Sequence, residues 1–299
     1  MSALRVFGTV ACFAIAVGVT VGSEADAIKS VTAAGGKITY DKIAKKRVVG
    51  AVALKGAKTT DATLKDLLEF PLCTRVELRD APNVTADGIA EVAKLKKLQV
   101  VELQGAIVSD DTAKALAAAT TITELRLSEG GLTDDGVKQL AALTKLQSLT
   151  LTQNAKMKGT TIPAIVTAKD LNNLTVSNCP LGDLTGWAAL KKLPKLTTLS
   201  LGQTELTDAG FKELGQITQL TSLSLDGSPI TETGLAELTR LKALRSLKIM
   251  DSKIPEKALA VLSGMKQLTY LGLSEKHIGK AEADALKKAL PNCDVEIAK

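Results

Sequence analysis

Residues 199–222 read LSLGQTELTDAGFKELGQITQLTS, and residues 223–246 read LSLDGSPITETGLAELTRLKALRS. The two stretches say nearly the same thing at a spacing of 24 residues. Within each, the apolar period changes from 2 to about 3.6, which predicts a strand followed by a helix. Leu199 and Leu201 alternate as strand residues, Leu206 turns inward, and Thr207 stands where a helix N-cap belongs, with Asp208 in the first turn. Phe211, Leu214, Ile217 and Leu220 then form one apolar stripe.

Working outward from Leu199/Leu201, the apolar-x-apolar pair recurs at Val52/Leu54, Val76/Leu78, Val101/Leu103, Leu125/Leu127, Leu149/Leu151 and Leu174/Val176. It continues at Leu223/Leu225, Leu247/Ile249, Leu271/Leu273 and Val295/Ile297, with every step 24 or 25 residues long. A fixed period of this size is the mark of a solenoid. The helical stripe travels with it, from Leu64, Leu67 and Phe70 to Trp187, Leu190, Leu193 and Leu196, and on to Leu235, Leu238, Leu241 and Leu244. No unit can bury such a stripe alone, so neighbours must stack into one core. Trp187 and Phe211 share one stripe position and read as packed core.

These units resemble the leucine-rich repeat family. TDAGFKEL (207–214) and TETGLAEL (231–238) are similar to repeats of exported bacterial proteins and to the cysteine-containing repeats of eukaryotic adaptors. The resemblance implies an α/β solenoid: a right-handed β-α arc with a parallel sheet on its concave face and helices on its convex face. One departure matters. The family's inward asparagine column reads Ala57, Ala81, Ala106, Gly130, Asn154, Cys179, Thr204, Ser228, Ser252 and Lys276, and only Asn154 keeps the amide. Cys179 there reads as a small buried ladder residue. The unit from Leu149 to Asn173 is the least regular, with Met157 at the leucine position and Pro163 early in its helix, and a local bulge is expected there.

The chain has 299 residues, is 45% apolar, and carries a formal charge of +6. Its lysines are scattered and its aromatics make up 2%, which argues against a nucleic-acid face. MSALR followed by the apolar run Val6–Gly22 and SEADA reads as a cleaved export signal, with cleavage leaving Glu24 or Ile28 first. The domain reading is a signal peptide at 1–27, a cap of helix plus strand at 28–51, and the repeats at 52–299. The membrane would be met only in transit. After cleavage Cys73, Cys179 and Cys293 remain, odd in number and far apart, which is no disulfide framework.

Groups that do chemistry are scarce. The one histidine, His277, reads as a solvated turn residue. No phosphate-cradling glycine loop is present. Asp110-Asp111 and Asp134-Asp135 open helices, where the dipole explains them without a metal. Asn83-Val84-Thr85 and Asn173-Leu174-Thr175 match glycosylation sequons. The expectation is a non-enzyme without cofactor or metal, monomeric and exported, that binds a protein through its concave face. A surface polysaccharide and an intracellular ligase adaptor's partner are the alternatives.

Side chains flanking the strand leucines line that face, which spans roughly 50 Å at about 4.8 Å per strand. The candidate contacts are Arg75, Glu77, Arg79, Glu102, Gln104, Glu124 and Arg126 at one end and Thr150, Thr175, Ser200 and Ser224 in the middle. Lys248 and Tyr270 lie at the far end.

Overall fold

The computed structural model describes residues 23–43, 46–275 and 278–298. The apolar N-terminal run, Lys276 and His277 lie outside the described residues. Helix α1 (Glu24–Ala33) is followed by strands β1 (Lys37–Ile43) and β2 (Lys46–Lys55). The strands that follow are β3 (Arg75–Arg79), β4 (Val100–Gln104), β5 (Glu124–Ser128), β6 (Ser148–Thr152) and β7 (Asn173–Ser177). The series ends with β8 (Thr198–Gly202), β9 (Ser222–Ser224), β10 (Ser246–Ile249), β11 (Tyr270–Ser274) and β12 (Asp294–Ala298). All lie in one open sheet in sequence order.

Each repeat anchor pairs with the next as the period predicts: Val52 with Val76, Val76 with Val101, Leu199 with Leu223, and Leu271 with Val295. The departure from an all-parallel sheet is at its start, where β1 pairs antiparallel with β2 as a hairpin. Only Ala51–Lys55 of β2 is in register with β3, so the first half of β2 is held by β1. Helix α1 packs Ala27 and Val31 onto the first unit and covers the apolar end that a solenoid would otherwise expose. It begins at Glu24, capped by Ser23, and so runs across the 27/28 boundary expected from sequence.

The helices are short because each is one side of a 24-residue loop from strand to strand. They are α2 (Asp61–Asp66), α3 (Ala86–Val92), α4 (Asp110–Leu116), α5 (Asp134–Gln139), α6 (Asp208–Leu214), α7 (Glu232–Leu238), α8 (Glu256–Gly264) and α9 (Lys280–Ala289). The irregular unit and its neighbour substitute 3₁₀ helices at Ile162–Thr167 and Trp187–Lys192. The first has Pro163 in its opening turn and lacks a side-chain cap, and the second follows Gly186 at φ 82°. No bulge reaches the sheet, since β6 pairs with β7 in unbroken register. The stripe residues are all buried, and Trp187 also donates its indole N–H to the carbonyl of Gly159 at 2.8 Å.

Two ladders tie the units together. The first runs through the turn leaving each strand. Gly56, Asp80, Gly105, Glu129, Gln153, Asn178, Gln203, Gly227 and Asp251 all have φ between 47° and 92°. Their positive φ turns the chain off the sheet, and the N–H of each from Gly56 to Gly227 bonds to a carbonyl at the end of the next strand. Asn154 follows in this turn and donates its amide to Leu127 and Thr152 carbonyls at 3.1 and 3.0 Å. Ser252 brings its single hydroxyl hydrogen within reach of the equivalent carbonyls, Met250 at 3.1 Å and Leu225 at 3.4 Å, and the Cys179 thiol bonds to Ser177. Ala57 and Ala106, expected inward, are exposed instead. There the turn closes one residue earlier, on the carbonyls of Gly56 and Gly105, and buries Thr59 and Val108 in their place.

The second ladder joins helix starts. Asp61 accepts the N–H and hydroxyl of Thr85 one unit on, at 2.8 and 2.7 Å. Asp183 accepts the hydroxyl of Thr207, and Asp208 that of Thr231. Each threonine is at once the cap of its own helix and the ligand of the preceding aspartate. The acidic first turns thus do more than answer the helix dipole.

Candidate functional site

The register of the sheet builds one continuous row across its outer face. Lys37 pairs with Ala53, Ala53 with Glu77, Glu77 with Glu102, and Glu102 with Arg126. The row continues through Thr150, Thr175, Ser200, Ser224, Lys248 and Gly272 to Glu296. Eight of the predicted contacts lie in this row. Arg75, Glu124 and Tyr270 lie in the flanking row on one side, and Arg79 and Gln104 in the row on the other. The residues missed were Lys37, Ala53 and Lys55. Ala53 and Lys55 flank the anchor Leu54 and could have been read by the same rule; Lys37 arrives through the antiparallel hairpin, which no repeat period foretells.

The charged end of the face is an internally paired network. Arg75 Nε meets Glu77 Oε1 at 2.6 Å, and Arg79 Nη2 meets Glu102 Oε1 at 2.5 Å. Longer links run from Arg75 to Glu102 at 3.7 Å and from Arg79 to Glu77 at 3.8 Å. Arg126 Nη2 meets Glu124 at 2.8 Å. The hydrogen bond that Arg75 donates to Glu77, together with the nearby carboxylates, holds Arg75 protonated beyond its ordinary range. The arginine side chains are 36–49% exposed, so each pair is worth at most about 1 kcal/mol and can exchange partners. Lys37 and Lys55 are exposed and take part in no ion pair among the described residues.

The middle of the face is chemically plain. Thr150, Thr175 and Ser200 stand half-buried side by side, and Ser224 donates to Asp226 at 2.9 Å. Asp226 in turn pairs with Lys248 at 3.4 Å and accepts the N–H of Met250. At the far end Tyr270 lies across Gly272, where a Cβ would stand 2.8 Å from its hydroxyl, and donates to Glu296 at 2.6 Å. That bond is the largest reason the phenol pKa is pushed up to about 12.

Groups suited to catalysis are not assembled here. Cys73 and Cys179 are buried in the core, and burial pushes the Cys73 thiol up to about 11 and Cys179 in the same direction. Among the described residues, no three His, Cys, Asp or Glu side chains gather as a metal site, and no helix is long and apolar enough to cross a membrane.

A leucine-rich repeat family model matches residues 118–141. No curated protein sequence matches the chain. Among solved structures, an internalin (InlF) from Listeria monocytogenes superposes with a TM-score of 0.54 at 18% identity, over 93% of this chain and 89% of that one. A second, internalin C2 from the same organism, gives 0.48 at 20% identity over 84% and 93%. A chain of the yeast Rad7 and Elc1 complex gives 0.50 at 16% identity, over 83% and 76%. At such identities the likeness concerns architecture alone. Register, family match and superposition agree: the chain is a leucine-rich repeat solenoid.

Proposed function

We propose that this protein is a non-catalytic scaffold acting outside the cytoplasm, and that it captures a protein partner through the N-terminal quarter of its concave face. The supporting observation is the uneven charge of the central row and its neighbours. Lys37, Lys55, Arg75, Arg79 and Arg126 face Glu77, Glu102 and Glu124, while Thr150 to Ser224 adds no charge. Recognition needs anchors that are partly desolvated and able to form charge-assisted bonds, and Arg is favoured in that role. The hydroxyl-rich middle offers none. The placement outside the cytoplasm rests on the apolar N-terminal run and the small residues after it.

The test compares two surface variants in the native host, with partners identified by proximity labelling and mass spectrometry. Arg75→Glu with Arg126→Glu is expected to abolish partner labelling, while Ser200→Arg with Ser224→Arg leaves it near wild type. Circular dichroism checks that both keep the fold. The opposite pattern moves the site to the middle of the arc and puts a polysaccharide ligand first.

A further inference from the structure

Beside the paired arginines, the start of the sheet holds a cavity of about 200 Å³ whose walls are chiefly apolar. Its depth comes from small residues: Ala53 in the central row, with Gly35 at the turn before β1, where φ is 78° and nothing lies within 4 Å of a built Cβ. Lys37, Lys55, Arg79 and Glu77 complete the lining, their aliphatic stems forming much of its wall, with Leu54 buried beneath. A cavity of about 150 Å³ is enough to take a benzene ring. This one therefore accommodates a side chain of leucine to phenylalanine size.

The charges around it are unbalanced, with Lys37, Lys55 and Arg79 against the one carboxylate of Glu77. Lys55 stands directly opposite Arg79 in the ladder, a like-charge pairing that costs the fold rather than helping it. Arg79 is drawn towards Glu102, and Lys37 and Lys55 keep uncompensated charges. An apolar hollow framed by surplus cations fits a ligand that is apolar and carboxylated at one point.

We propose that this cavity receives the C-terminal residue of a partner chain, with its apolar side chain in the hollow and its free carboxylate against Lys37 and Lys55. The geometry selects a terminus over an internal acidic residue. Lys37 and Ala53 are direct cross-strand partners, so the Lys37 side chain starts about 5 Å from the floor of the hollow and its ammonium can reach a carboxylate held there. In an extended peptide, adjacent side chains point to opposite faces. A chain's last residue carries both groups on one Cα and so meets the hollow and the cations together. The proposal deepens the reading of the N-terminal quarter as the docking surface and rests on it.

The experiment uses acetyl-Gly-Gly-Leu with a free carboxylate, its C-terminal amide, and acetyl-Gly-Gly-Gly, titrated onto the chain and followed by the amide resonances of Gly35, Lys37, Ala53 and Lys55. The free-acid leucine peptide is expected to shift these four and to saturate, with the amide and the glycine peptide binding roughly tenfold or more weakly. Ala53→Leu, which fills the hollow, and Lys55→Glu, which replaces a rim cation with a carboxylate, are each expected to remove the shifts; Arg126→Glu is expected to keep them. Equal binding of acid and amide, or undiminished binding to Ala53→Leu, overturns the proposal. If partner labelling falls with the arginine variants while these peptides never bind, the docking surface stands and the terminal-residue pocket is wrong. If the peptides bind but labelling depends on Ser200 and Ser224, the pocket stands and the docking reading is wrong.

Discussion

Gly136 leaves the space that Asp110 of the preceding unit fills: a Cβ on Gly136 would stand 2.3 Å from Asp110 Oδ1. The same carboxylate accepts the N–H and hydroxyl of Thr133 at 2.8 and 2.7 Å. Gly88 keeps the same clearance for Asp61. The Thr-x-x-Gly wording of these units is therefore a receptor for the previous unit's aspartate. Gly136→Ala is expected to destabilise by about 1–3 kcal/mol through overpacking, and Asp110→Ala by about 1–3 kcal/mol through the bonds it strands. Together they are expected to cost clearly less than the sum, measured as a double-mutant cycle in urea. Strict additivity would show that the two sites do not meet.

Asn154 is the one amide in the turn column, and its two donated bonds satisfy carbonyls of two units. Asn154→Ala is expected to cost about 2–3 kcal/mol, because buried acceptors are left without donors. Ser252→Ala removes longer bonds, at 3.4 and 3.1 Å, and is expected to cost about 1 kcal/mol. Chemical denaturation of both variants ranks them, and a reversed order sinks the ladder account.

Thiol reactivity should follow burial. Cys293 is only partly covered, whereas Cys73 and Cys179 are buried; burial pushes all three thiols up. Of the three cysteines among the described residues, Cys293 is expected to alkylate first in the folded chain, with Cys73 and Cys179 reacting only on unfolding. Cys73 precedes β3 and Cys179 follows β7, four strands on and roughly 19 Å away, beyond the about 7 Å reach of a disulfide. Mass spectrometry of partially alkylated, non-reduced protein checks both points; a Cys73–Cys179 peptide would refute the second.

The phenol of Tyr270 titrates late because it donates to Glu296. With its ordinary value at 10.0 raised to about 12, the folded state keeps a proton that the unfolded chain has lost. The stability this confers is complete below pH 10 and disappears as pH rises through about 12. Phenolate absorbance is expected to show a late component that Tyr270→Phe removes and Glu296→Gln moves to lower pH. A late component surviving in Tyr270→Phe would assign it elsewhere.

If the N-terminal run is removed as an export signal, α1 narrows the cleavage site. Cleavage after Ala27 would remove the helix's first turn together with buried Ala27, whereas cleavage at Gly22 or Ser23 spares both. The mature chain is therefore expected to begin at Ser23 or Glu24, and N-terminal sequencing that finds Ile28 would contradict this.

Strand anchors and helical stripes were legible because burial repeats with the backbone's own periods, so each Leu or Val column declares its face. The exit turn was not legible. Asp80, Glu129, Gln153 and Gln203 take a left-handed backbone that sequence associates with glycine, and they do so because the next strand supplies a carbonyl for each N–H. Asp110 and Asp134 were read as dipole partners, since their ligands lie 23 to 27 residues further on and no local pattern links them. The columns set arginines beside carboxylates, which allows cross-strand ion pairs as well as donors left open to a partner. Their pairing depends on which glutamates the register sets beside them, a matter of distance that columns alone leave open.

The aspartate ladder also fixes which shortened versions of this chain can be spliced. Helix α3 opens with Ala86 in place of an aspartate, and the following unit accordingly carries Thr112 where others have glycine. Excising residues 85–108 would set Asp61 against Thr112, a junction with no clearance for the carboxylate. Excising residues 85–132 sets Asp61 against Thr133 and Gly136, whose shape already suits an aspartate. Of these two excisions, the two-unit one is expected to be the better tolerated, because it keeps an aspartate opposite a glycine.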